Sequence, residues 1–182
     1  MRSDPRILVS PDPLLSGIAK PVCLEPGKFD ADTLKVLADY MMEVCVKVKG
    51  IGMSAPQLGV PVCVILIAAH DTEPVFLVNP TWTPEGEDMT HLRELCFSSP
   101  GVEIVVHRYA NIQVKWAGLD GVAHEGSFDG DRARILQHEY DHLIGKCLFD
   151  WLTEEEQAAY LRRTEHARAQ VWRKAPRPQG RR

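Results

Sequence analysis

Two histidines four residues apart, His138 and His142, with Glu139 directly after the first, lie in a segment where Ile135, Leu136, Leu143 and Ile144 form an apolar face ending at Gly145. At about 3.6 residues per turn, both imidazoles leave a helix in nearly the same direction and can share one metal ion. Glu139 is then placed beside the remaining coordination position, where it can take a proton from a water activated there. A catalytic divalent site keeps three protein ligands and leaves one position open, so the chain has to bring a third donor to this helix from elsewhere. That requirement restricts the fold more than any other feature of the sequence.

Downstream of the motif the donors are His166 and the Glu154–Glu156 run. The glutamates already have another use, because Thr153 followed by Glu156 fits a capping box and acidic residues favour a helix N-terminus. A metallopeptidase of the zincin type would need its ligand from this side. Upstream, Cys96 stands in Arg93-Glu94-Leu95-Cys96-Phe97-Ser98, a tight segment between two strand regions where a thiolate can face the helix. Cys-His-His is the better triad.

The remaining pattern is of mixed type. Leu34, Leu37, Met41, Val44, Cys45 and Val48 recur at three- and four-residue steps, predicting an amphipathic helix from Asp32 stopped at Gly50. Short apolar runs at Val62–Ala68 and Val75–Val78 read as buried strands, and Val102–Val106, Ile112–Trp116 and Val122–Phe128 as further strands. Gly118–Gly121 supplies the turn of a hairpin between the last two, and Pro84–Asp88 a polar loop before the Cys96 region. A second helix capped by Asp129 or Asp131 carries the histidines, and a third runs from Thr153 to about Trp172. Prolines 5, 11, 13 and 21 keep the first stretch out of long regular structure and make it an extended arm. The expected fold is α+β, with short, mainly antiparallel strands around a central metal-bearing helix. A body over 1–152 is followed by a helix and tail over 153–182.

With 182 residues, 45% hydrophobic and 25% charged, the chain can bury one sizeable core. Its net charge of −4 excludes a surface built throughout for nucleic acid, and no sequence-specific nucleic-acid binding is expected. Eight basic residues and one acidic lie between Arg162 and Arg182, so the preceding 161 residues carry −11. The final KAPRPQGRR is expected to be disordered, and this basic tail is a candidate ribosome contact through phosphates. No apolar run approaches the roughly 18 residues of a bilayer span, and the first residues lack a secretory core. Five widely spaced cysteines fit a reducing compartment. A cytoplasmic location is expected, an organelle reached after transit-peptide removal being the other compatible compartment.

Three separated motifs resemble those of the peptide deformylases and occur in the same order. They are Gly50-Ile51-Gly52-Met53-Ser54-Ala55-Pro56-Gln57, Glu94-Leu95-Cys96-Phe97-Ser98 and Gln137-His138-Glu139-Tyr140-Asp141-His142-Leu143. The resemblance spans about residues 6 to 150. It implies that Cys96, His138 and His142 hold the metal and that Glu139 is the general base and acid. The Gln57 side chain and the backbone N–H of Phe97 would stabilise the oxyanion. Ile51, Gly52 and Phe97 would meet the substrate, and Glu94, Asp141 and Arg108 would form structural ion pairs. The implied activity is hydrolysis of the N-formyl group from the initiator methionine of nascent polypeptides, with release of formate. Fe²⁺ is the implied native metal, with Zn²⁺, Ni²⁺ or Co²⁺ as replacements.

Four residues depart from the family pattern. Leu95 stands for glycine, a change that strains the backbone if φ there is positive. Phe97 replaces leucine, with a ring that can narrow the entrance, and Ser54 replaces alanine. Glu103 occupies the place of an arginine associated with holding the substrate backbone, so an altered peptide preference is expected. The competing readings are a divergent, non-catalytic or altered-specificity metal-binding relative, which Leu95 and Glu103 motivate, and a zinc metallopeptidase.

Overall fold

The computed structural model describes residues 4–25, 30–69 and 72–163. Its elements run α1 (Ala31–Val48), β1 (Gly52–Ser54), a 3-10 turn (Ala55–Leu58), β2 (Val64–Ile67), β3 (Val75–Pro84), β4 (Met89–Leu95), β5 (Glu103–Tyr109), β6 (Asn111–Ala117), β7 (Ala123–Asp129), α2 (Gly130–Leu143) and a second 3-10 turn (Leu148–Trp151). Five strands form an antiparallel sheet in the order β1-β2-β3-β6-β7, and β4 pairs with β5 as a separate two-stranded ribbon. The expected α+β architecture is present, and the chain separates into two compact units, Met1–Leu148 and Phe149–Arg182.

Strand β2 explains why the first unit needs a helix on each side of its sheet. Its four residues, Val64-Ile65-Leu66-Ile67, are all buried, so both faces of the strand require cover. Val64 and Leu66 join Met41, Val44, Cys45 and Val48 of α1 in one core cluster. Ile65 and Ile67 join Leu77, Ile112, Val114 and Phe128 with Ala133, Ile135 and Leu136 of α2 in the other. Burying each such aliphatic side chain is worth about 1.5–3 kcal/mol. Helix α2 is thereby fixed against the sheet by apolar contacts, and its polar residues are fixed with it.

Helix α1 begins at Asp30, whose side chain accepts from the Thr33 N–H, and ends one residue earlier than its sequence suggests. Lys49 takes the left-handed conformation (φ 59°) in place of the expected Gly50. The Lys49 N–H bonds the Val46 carbonyl and the Gly50 N–H the Cys45 carbonyl, the paired bonds of a Schellman ending. Gly50 is held by space: a Cβ there would lie 3.2 Å from both the Cys45 sulfur and the Phe97 ring.

The ribbon β4–β5 is longer than its apolar pattern suggests, because β4 is almost wholly exposed and offers no stripe to read. Strand β3 likewise continues past Val78, through a bulge where Asn79 has φ 50°. The Asn79 amide bonds both the N–H and the carbonyl of Val22, each at 2.8 Å, which ties the proline-rich arm to the sheet. Further along, the arm donates from the Leu8 N–H to the Gln57 carbonyl and from the Ser10 N–H to the Ser98 carbonyl. The arm is therefore a brace between separate segments.

In the second unit, residues 154–163 are helical, and Thr153 and Glu156 form the expected capping box. The expected extent of this helix to Trp172, and the tail itself, lie outside the described residues.

Asp4 illustrates a long-range clamp. Hydrogen bonds from Arg6 and from Lys47 of α1 hold its buried carboxyl well below the usual carboxylate range. Such a group stabilises the fold at neutral pH and loses that contribution as pH falls through its folded value. Asp4→Asn is expected to lower the thermal midpoint at pH 7. The gap between parent and variant should narrow below about pH 4, measured by thermal melts across pH.

Candidate metal centre and cleft

The turn that follows β4 brings the third donor to α2. Cys96 is the first residue beyond the ribbon strand, and the Ser99 N–H closes a turn on its carbonyl. Cys96, His138 and His142 each offer a ligand atom within 4.8 Å of the others, the one such group of at least three His, Cys, Asp or Glu among the described residues. The Cys96 sulfur lies 3.3 Å from His142 Nε2. His138 commits Nδ1 to Glu94 at 2.8 Å, and His142 Nδ1 faces the Cys147 sulfur at 3.5 Å, so each ring keeps Nε2 for the centre.

The electrostatics suit a cation. Burial works to raise the Cys96 thiol, but the His142 and His138 imidazoles outweigh it and hold the thiol well below its ordinary range. Burial likewise opposes charge on His138, yet Cys96 and Glu94 push it up to about 10, and His142 moves in the same direction. Burial raises the Glu139 carboxyl to about 7 against the pull of the two histidines. Its Oε2 is buried with no hydrogen-bond partner. A thiolate, two imidazole Nε2 atoms whose protons a bound cation would displace, and a carboxylate oxygen without a partner beside them fit a divalent metal with one open position.

Glu94 organises this centre from behind. Its carboxylate accepts from Arg108 at 2.9 and 3.1 Å, Arg134 at 2.6 Å and His138 at 2.8 Å. Arg108 continues to Asp141 at 2.8 Å, and Arg134 reaches the carbonyls of Thr90 and Val106 and the Thr90 hydroxyl. Hydrogen bonds from His138 and Arg108 overcome burial and hold the Glu94 carboxyl down at about 2. The ion pairs expected of Glu94, Arg108 and Asp141 are therefore present. Arg134 was not singled out from sequence, although its place one helical turn before His138 was the available signal.

In front lies a cleft of about 720 Å³. Ile51, Gly52, Gln57, Cys96, Phe97, His138 and Glu139 all line it, whereas His142 sits underneath at 1% exposure. Gly52 admits no side chain, because a Cβ would come within 2.5 Å of Ile135 and 2.8 Å of Glu139. The Gln57 carbonyl oxygen accepts from the Ser54 N–H at 2.9 Å and hydroxyl at 3.2 Å, which turns its NH₂ toward Cys96 (3.6 Å) and Ser98 (3.2 Å). Ser54 and Ser98 are further site residues that sequence spacing alone did not assign. Leu95 ends β4 without a positive φ, so replacing glycine introduces no left-handed strain. Glu103 pairs with Arg93 across the ribbon at 3.5 Å and is outside the cleft lining, while Arg93 is within it.

An α+β chain that buries a thiol, two imidazoles and a carboxylate together under such a cleft has the makings of a metal-dependent hydrolase. The model of the polypeptide deformylase family matches residues 5–158. A peptide deformylase of Novosphingobium aromaticivorans is 34% identical over 185 residues, covering 89% of this chain and 96% of the relative. One from Pseudomonas aeruginosa is 36% identical over 149 residues, covering 81% and 86%. The crystal structure of a peptide deformylase from Legionella pneumophila superposes with a TM-score of 0.77 at 29% identity, covering 93% of this chain and 98% of that one. The chain belongs to the polypeptide deformylase family, hydrolases that remove N-formyl groups and use a metal cofactor.

Replacing Glu94 by alanine would leave the half-buried Arg134 without a carboxylate and the buried Arg108 with Asp141 alone. Glu94→Ala is expected to cost about 3–5 kcal/mol in denaturant unfolding. It should also weaken metal affinity by about 10- to 100-fold, measured by competition with a chelator.

Proposed function

We propose that this chain hydrolyses the N-formyl group of formyl-methionyl nascent peptides to formate and a free methionyl amine. In this reading Cys96, His138 and His142 are the metal ligands, Glu139 is the general base and acid, and Gln57 with the Phe97 N–H stabilises the oxyanion. The observation that carries it is the convergence of the Cys-His-His group with the partnerless Glu139 oxygen and the Gln57 amide at one end of the cleft. A divalent cation held there supplies Lewis acidity, activating water and polarising the formyl carbonyl. We assign Fe²⁺ as the native ion on the family resemblance, with Zn²⁺, Ni²⁺ or Co²⁺ able to replace it in a thiolate–imidazole set.

The protein's own groups then divide the work. Glu139 takes a proton from the attacking water as its oxygen bonds to the formyl carbon, and returns that proton to the amine nitrogen as the C–N bond breaks. The Gln57 NH₂, turned by Ser54, and the Phe97 N–H meet the negative charge that develops on the formyl oxygen. Ile51, Gly52 and Phe97 contact the substrate from the cleft wall. Residues 1–152 act as the catalytic body, and the eight basic residues after Leu161 favour a ribosome contact by the 153–182 segment. A cytoplasmic site of action accords with this substrate, and no helix among the described residues is long and apolar enough to cross a membrane.

Anaerobic formate release from a formyl-methionyl peptide, with metal content determined on the same sample, tests the assignment. Glu139→Ala should lose about 10²–10⁴ in turnover while keeping its metal. Cys96→Ser should lose metal and activity together. A Cys96→Ser protein that stays loaded and active would instead point to a metallopeptidase arrangement with another third ligand.

A further inference from the structure

Ser54 stands where the family pattern has alanine, and nothing in the proposed chemistry requires a hydroxyl there. Yet the residue is fully buried, at 0% exposure, against the Gln57 amide assigned to the reaction. Its Oγ lies 3.2 Å from Gln57 Oε1, alongside the backbone bond from its own N–H at 2.9 Å. A hydroxyl has one proton and Gln57 Oε1 can accept two hydrogen bonds, so Ser54 completes the amide's acceptor pair.

We infer that Ser54 is a positioning residue that acts through Gln57, holding the amide with its NH₂ toward the reacting centre. The inference rests on the proposed deformylase reading. Gln57 sits at the end of a short 3-10 turn (Ala55–Leu58), in which Ser54 and Gln57 form a capping box. Without the hydroxyl, a single backbone N–H would anchor the Gln57 oxygen, and rotation of the amide would cost less. Donors fixed before charge develops are those that lower a barrier, so the effect belongs in kcat and not in KM. A second bond on the carbonyl oxygen also polarises the amide, which strengthens its N–H groups as donors.

A double-mutant cycle tests this on the full chain loaded with its metal. Ser54→Ala should lower kcat by about five- to tenfold with KM and metal content unchanged, and should lower the thermal midpoint by no more than the loss of one neutral hydrogen bond accounts for. Placed on Gln57→Ala, the same substitution should change kcat by less than about twofold, because its route of action is gone. The side-chain NH₂ signal of Gln57, followed by NMR on the chain loaded with diamagnetic Zn²⁺, gives an arm independent of turnover and should shift and broaden in Ser54→Ala. An unmoved Gln57 signal overturns the inference even if the parent releases no formate, an outcome that would separately refute the proposed function. So does a full five- to tenfold loss persisting on Gln57→Ala, or a loss accompanied by missing metal.

Discussion

The carboxylate of Glu94 is the interaction on which the rest of the site depends. It is buried and accepts from two guanidinium groups and one imidazole, drawn from β5 and from two positions on α2. Those bonds join the β4–β5 ribbon, which shares no strand pairing with the main sheet, to the helix that bears both histidines. Cys96 lies two residues beyond Glu94, so the bond that orients His138 also sets where the sulfur arrives. One carboxylate thus unites the two halves of the ligand set and orients one ligand.

The sheet supplies what the ion-pair network cannot. Apolar burial on the β2 face fixes α2 through Ile135 and Leu136, leaving Glu139 at the cleft and His142 beneath it both buried. That desolvation raises the Glu139 carboxyl toward neutrality, and the imidazoles beside it pull the other way. The resulting value near 7 suits the proposed role of Glu139, accepting a proton and later returning it. Packing and reactivity are consequences of the same placement.

Much of this was legible in the sequence because it follows from short-range rules. The spacing of His138 and His142 gives their shared direction, the apolar period gives α1, and the Thr153–Glu156 pair gives the last capping box. The continuous apolar run at Val62–Ala68 implies a buried strand, and β2 is buried at all four of its positions. Features set by tertiary space were less visible. Strand β4 carries no apolar stripe because it is exposed, and its pairing with β5 becomes apparent only in three dimensions. Lys49 adopts a left-handed angle that glycine prefers, since the adjacent Gly50 is reserved for the approach of Cys45 and Phe97. Arg134 and Ser54 resemble ordinary surface and loop residues until the fold buries their partners.

The bonds from Leu8 to the Gln57 carbonyl and from Ser10 to the Ser98 carbonyl bear on how the molecule can be handled. Both acceptors belong to residues whose side chains also bond one another, Gln57 Nε2 to Ser98 Oγ. Trimming residues 4–10, or fusing a bulky partner against them, would loosen the reaction chamber from its far side without altering any group inside it.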